Sequence, residues 1–217
     1  MTAVRLINII ALALLSIVAS IPQAEAEAES TSRLFDSAAI FVGQGVDHNL
    51  REIPGQIIAG KIDWENTYFV ALGLAKEMRT LGQAMDSLSG TFVAPVRLGY
   101  ELDLVKHHGL QHNTEIGAAY TLRTPDWLIG PIGVNFGGGM GLSCAVGSPV
   151  YEDGPKGEPE RQYRTQLLIL YELEWSMKSG GNMTVVTRGH HRSGAYGLIA
   201  PRHVGSNFLT VGLRYAF

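Results

Sequence analysis

The feature that most constrains this chain is its end. Leu209, Val211, Leu213, Tyr215 and Phe217 alternate with Thr210, Gly212, Arg214 and Ala216. Side chains of a strand alternate with period two, so the first set shares one face and the second shares the other. A soluble protein seldom stops flush on an aromatic at the close of an amphipathic strand. An outer-membrane barrel does, because its closing strand ends in the aromatic girdle at the edge of the bilayer.

The other terminus agrees. Arg5 supplies a positive start, Leu6 to Ile21 an apolar run, and Ala24-Glu25-Ala26 a small-x-small cleavage site. Residues 1–26 therefore read as a cleaved signal peptide and 27–217 as the exported domain. After Ile21 no stretch approaches the roughly 20 apolar residues that a spanning helix needs. An open sheet cannot expose its edges to lipid, so a mature membrane form would have to be a closed β-barrel.

The pattern between the termini supplies the strands. Leu34 to Val42 is a first strand, and Gly43 to Lys61, with Pro54-Gly55, reads as a loop. Tyr68, Val70, Leu72 and Leu74 share a face, and Lys76 to Gly90 is ambiguous. Val96 to Leu104, Thr114 to Leu122 and Ile132 to Leu142 alternate in turn, with His107-His108-Gly109 and Pro125 to Gly130 as the turns. Ser148 to Glu160 is a loop, Leu167 to Met177 a strand and Lys178 to Asn182 a tight turn. Met183 to Ser193 and Leu209 to Phe217 complete about eight strands. Each carries an apolar face and a face of Gly, Arg, Glu, Asp, Thr and Ser. The expected fold is an all-β, eight-stranded antiparallel up-and-down transmembrane barrel, apolar outside and polar inside. A lipocalin-like barrel would reverse the faces. Arg97, Glu101, Asp103, Glu172, Glu174, Arg188 and Arg214 are expected to pair inside, and eight strands leave no channel.

Composition removes several functions. With 17 basic and 20 acidic residues and a net charge of −3, the 217-residue chain has no nucleic-acid signature. The single cysteine, Cys144, excludes an intrachain disulfide and a thiolate metal cluster. His107, His108 and His112 have no diagnostic metal spacing. Gly137-Gly138-Gly139 lies inside a strand without the lysine context of a phosphate loop. No metal or cofactor is expected.

His191 and Ser193 stand out. They share the face that begins with Met183 and Val185. Barrels of this kind begin and end on the periplasmic side, so the seventh strand rises outward and delivers the pair to the outer rim, facing lipid. A histidine and a serine there are costly unless they serve something, and together they can make a nucleophile and its base.

At this point a resemblance emerges. His190-His191-Arg192-Ser193-Gly194-Ala195-Tyr196-Gly197-Leu198, Gly205-Ser206-Asn207-Phe208 and Gly212 to Phe217 resemble the lipid A 3-O-deacylase family of outer-membrane barrels and its acyloxyacyl-hydrolase-like relatives. The match is specific over about the last 35 residues and looser from Trp64 to Trp175. The resemblance implies a serine esterase of the outer membrane that cuts an ester-linked acyl chain of lipid A, with lipopolysaccharide as partner. A homodimer is compatible with it. It implies Ser193 as nucleophile and His191 as general base. The family's third member, a glutamate at the start of the final strand, falls on Ser206 or Asn207. Backbone N–H groups of Gly194 to Gly197 would serve as oxyanion donors. The alternative is a non-catalytic barrel with a structural or binding role.

Overall fold

In the computed structural model, residues 33–80, 96–152, 163–177 and 181–217 are described. The proposed signal peptide and residues 27–32 lie outside them, as do residues 81–90 of the ambiguous stretch, residues 153–160 of the Ser148–Glu160 loop and residues 178–180 of the last turn.

Nine strands are described: β1 Ser37–Val46, β2 Trp64–Thr80, β3 Arg97–Gly109, β4 Thr114–Arg123, β5 Trp127–Ile129, β6 Ile132–Val146, β7 Thr165–Met177, β8 Met183–Ser193 and β9 Gly205–Ala216. All pairings are antiparallel. The ring runs β4-β3-β2-β1-β9-β8-β7-β6, and β6 pairs back onto β4. The three-residue β5 pairs only with β6, outside the ring. Eight strands therefore close an up-and-down barrel, and no sheet edge remains along its wall. One short helix, α1 (Ile53–Ala59), lies in the loop after β1. No described helix is long and apolar enough to cross a membrane.

The faces fall as the alternation requires. Ile40, Val70, Leu104, Ile116, Tyr120, Phe136 and Met140 are exposed on the outer wall. Leu209, Leu213 and Tyr215 share that wall, with Val211 tucked between Val42 and Thr187 in register. Inside, in the half nearer the chain termini, Arg123, Arg188 and Arg214 meet Glu101, Asp103, Glu172 and Glu174. Arg188 Nε donates to Glu172 Oε1 at 2.6 Å and its Nη1 to Asp103 Oδ1 at 3.2 Å, and it pairs with Glu101. Arg214 donates to Glu101 Oε2 at 3.2 Å and pairs with Glu174. Arg123 bridges Glu101, Glu172 and Glu174 at 3.0–3.1 Å. Buried charges survive only when paired in this way. The Arg188 guanidinium also lies 3.8 Å above the Phe41 ring centre. Phe41 opens an apolar layer with Phe69, Val105, Val186 and Phe208.

Above that layer a second polar cluster fills the other half. Glu115 Oε2 lies 3.1 Å from His107 Nε2, and its Oε1 lies 3.0 Å from His190 Nε2. Glu152, in the loop after β6, turns into the mouth. It pairs with Arg192 and accepts from Gln166 Nε2 and Ser206 Oγ, both at 2.8 Å. Side chains fill the interior, as expected for eight strands.

Four expectations are corrected. The first strand is Ser37–Val46 rather than Leu34–Val42, because pairing with β2 and β9 continues past Gly43 to Val46 and Gly45 respectively. His107-His108-Gly109 does not turn the chain, since β3 runs through it and His107 faces inward. Part of the Gly43–Lys61 loop is helical. Arg97 opens β3 at the rim, where Asp126 at 3.4 Å and Glu77 at 3.8 Å pair with it instead of the interior acids.

Candidate functional site

The site is built by the upper ends of β7, β8 and β9 on the outer wall. Along β8, Arg188, His190 and Arg192 point inward, so the alternating positions Gly189, His191 and Ser193 face out. On β9, Phe208 belongs to the core and Ser206 meets Glu152 inside, which leaves Asn207 facing out. Antiparallel register sets His191 opposite both Asn207 and Ile169, and Ser193 opposite both Gly205 and Leu167. Below His191, the ring of Tyr171 fills the space that a side chain at Gly189 would occupy. On the β7 side the pair is thus bordered by apolar and aromatic wall.

Asn207 holds the histidine. His191 Nδ1 and Asn207 Oδ1 are 2.7 Å apart, and Asn207 Nδ2 donates to the His48 carbonyl at 2.8 Å. These two contacts fix more than position. A main-chain carbonyl can only accept, so the amide must turn its NH₂ toward His48 and its oxygen toward the imidazole. An amide oxygen can only accept in its turn, so Nδ1 carries the proton. In the neutral ring Nε2 then has the free lone pair, which is the tautomer a general base requires.

Ser193 is less closely bound to this unit. Its Oγ accepts from the Ala195 N–H at 3.4 Å, and no hydrogen bond joins it to His191. Residues two apart on a strand are separated by about 6.5 Å along the chain, so two such side chains meet only when both lean together. A serine attached to a substrate carbonyl would be one occasion for that.

Three sequence assignments are corrected. Ser206 is on the wrong face to touch the imidazole, because its hydroxyl donates to Glu152 in the barrel mouth. Gly194 N–H is already donated to the Val204 carbonyl at 3.2 Å, and Gly197 N–H to the Gly194 carbonyl at 3.2 Å, so neither is free to receive an oxyanion. Gly194 has a structural reason instead. The carbonyls of Ala200 and Pro201 occupy the place where its Cβ would be.

Sequence reasoning missed the part played by the first loop. Nothing in the pattern of residues 47–63 announces that the His48 carbonyl will clamp a side chain 159 positions away. The same loop reaches the turn after β8, where Arg51 Nη2 donates to the Tyr196 hydroxyl at 3.2 Å.

No family model matches the chain, and no curated protein matches it significantly. Solved structures do. The outer membrane enzyme PagL superposes with a TM-score of 0.55 at 10% identity, over 83% of this chain and 99% of that one. Neisserial surface protein A superposes with a TM-score of 0.47 at 9% identity, over 83% of this chain and 96% of its own. At 10% identity the likeness to PagL is one of fold, and it agrees with reading the closed eight-stranded barrel described above as an outer-membrane barrel.

Proposed function

We propose that this chain is an outer-membrane serine esterase that hydrolyses an ester-linked acyl chain of lipid A or a related outer-leaflet lipid. Ser193 Oγ attacks the ester carbonyl and His191 Nε2 takes its proton. The proton then passes to the departing alkoxide, and water releases the fatty acid from the acyl-serine through the same base. Asn207 keeps Nδ1–H engaged throughout, and no metal or cofactor is called for. The observation that carries this reading is the His191–Asn207–His48 chain of contacts on the lipid-facing wall, which sets the tautomer of a histidine two residues from a serine. Polar side chains facing lipid are costly unless they serve something. The likeness to PagL supports the scaffold.

The second reading, a non-catalytic barrel, is favoured by one observation, the absence of a direct His191–Ser193 bond. Mass spectrometry of lipid A from cells expressing the protein separates the two. The esterase reading expects loss of one acyl chain with the wild type, and none with Ser193→Ala although that barrel still folds. Identical lipid A profiles from both, in a strain that offers acyl esters, would leave the structural or binding role.

A further inference from the structure

The outer wall does not stop at the strand ends. Asn207 faces outward and holds the His48 carbonyl, so the loop leaving β1 is tied to the lipid side of β9 rather than to the mouth. This loop carries α1, Ile53–Ala59, a helix with no charged residue. Ile57 and Ile58 in it are 52% and 88% exposed. Successive helical residues lie about 100° apart, so the exposed apolar surface is broad rather than a single stray side chain. The turn after β8 repeats the pattern. Ala195 to Ile199 carries no charge, and Tyr196 and Leu198 are 78% and 86% exposed. Tyr196 is held at a φ of 56°, a left-handed conformation that an aromatic residue adopts only under constraint. Its hydroxyl ties the two segments together through Arg51. Charged side chains of both signs border this surface: Arg51, Glu52 and Lys61 flank α1, and Arg202 follows the turn, all exposed.

We infer that α1 and the 195–199 turn form one apolar shelf that enters the headgroup–acyl boundary of the outer leaflet beside the His191–Ser193 pair. The partner is the lipid surface itself. Three observations point there: the shelf is tied to the apolar outer wall through Asn207, its apolar centre has a charged margin of both signs that suits a headgroup layer, and Tyr196 offers an aromatic ring with a polar tip, the kind of side chain that settles at that level. An exposed surface of this composition in water would have no covering. The inference stands whether or not the barrel is an esterase.

Depth measurement by spin labelling tests it on the full chain folded into phosphatidylcholine vesicles. With Cys144→Ser removing the native thiol, a nitroxide is attached at Ile58→Cys or Leu198→Cys, and at His112→Cys in the exposed β3–β4 turn as the aqueous reference. Folding of each variant is verified by heat-modifiable migration. The expected result is collision with oxygen exceeding collision with a water-soluble nickel complex at positions 58 and 198, and the reverse at 112. Nickel accessibility at either 58 or 198 equal to that at 112 would overturn the shared shelf. Because the readout needs no turnover, its failure is distinct from failure of the esterase reading.

Discussion

Asn207 does two things that no carboxylate at its position could do together. It accepts from the imidazole and donates to the His48 carbonyl. Asn207→Asp would place a negative charge beside His191, which favours the imidazolium formed during attack. It would also set an oxygen against the His48 carbonyl in place of an N–H. The expected outcome is a trade: a higher kcat on acyl ester substrate and faster proteolytic cleavage between residues 47 and 63, measured side by side. Asn207→Ala removes both contacts and frees the tautomer. Turnover should fall about 10²- to 10⁴-fold, the range that a well-placed base contributes, with KM little changed. The residue was half legible in the sequence. Parity identifies it, since 207 shares the outward register of Leu209, Val211 and Leu213 while 206 shares the inward register of Thr210 and Arg214. The resemblance alone left Ser206 and Asn207 open because it carries no register. The oxyanion donors were not legible. Whether a glycine N–H is free depends on carbonyls from the far side of its own turn, such as Val204.

Elements differ in how openly the sequence announces them. The strands were plain because alternation is a property of each strand alone. The helix α1 was hidden behind Pro54-Gly55, which reads as a turn. Proline is nonetheless at home in a first helical turn, and Gly60, at a φ of 65°, caps the other end by donating to the Gln56 and Ile57 carbonyls. The six-residue spacing from Pro54 to Gly60 was the available signal. Glu152 was less legible still. Its loop contains several carboxylates, and nothing in the sequence says that Glu152 will meet Arg192. That pairing anchors the loop to the mouth, with Gln166 and Ser206 as further donors. Glu152→Ala leaves the buried Arg192 guanidinium with Glu115, at 3.6 Å, as its one carboxylate among the described residues. Breaking one partner of a buried pair costs about 3–5 kcal/mol, so the urea midpoint of the folded barrel should drop accordingly. Glu152→Gln, which keeps the shape and loses the charge, should fall between that variant and the wild type.

On the scale of the molecule, inside and outside obey opposite rules. Leu104→Arg, on the outer wall, should destabilise the barrel in vesicles by about 2–4 kcal/mol, the range for a cation near the bilayer midplane. Arg188→Ala, inside, should cost a comparable amount for the opposite reason, since it strips a cation from Glu101, Glu172 and Asp103. Reversible unfolding in urea, followed by tryptophan emission, measures both. The interior network also has a consequence in time. Glu101 comes from β3, Glu172 from β7, Arg188 from β8 and Arg214 from β9, while β9 must pair with β1 for the ring to close. Until the last strands exist Asp103 has no cation and Glu101 only Arg123, so a partly built sheet would bring poorly paired charge and open edges to the bilayer. Insertion and closure become a single event, postponed until β9 can pair with β1. A chain lacking Gly205–Phe217 should stay outside the membrane as a chaperone-bound or degraded species, rather than lodge there as a seven-stranded fragment.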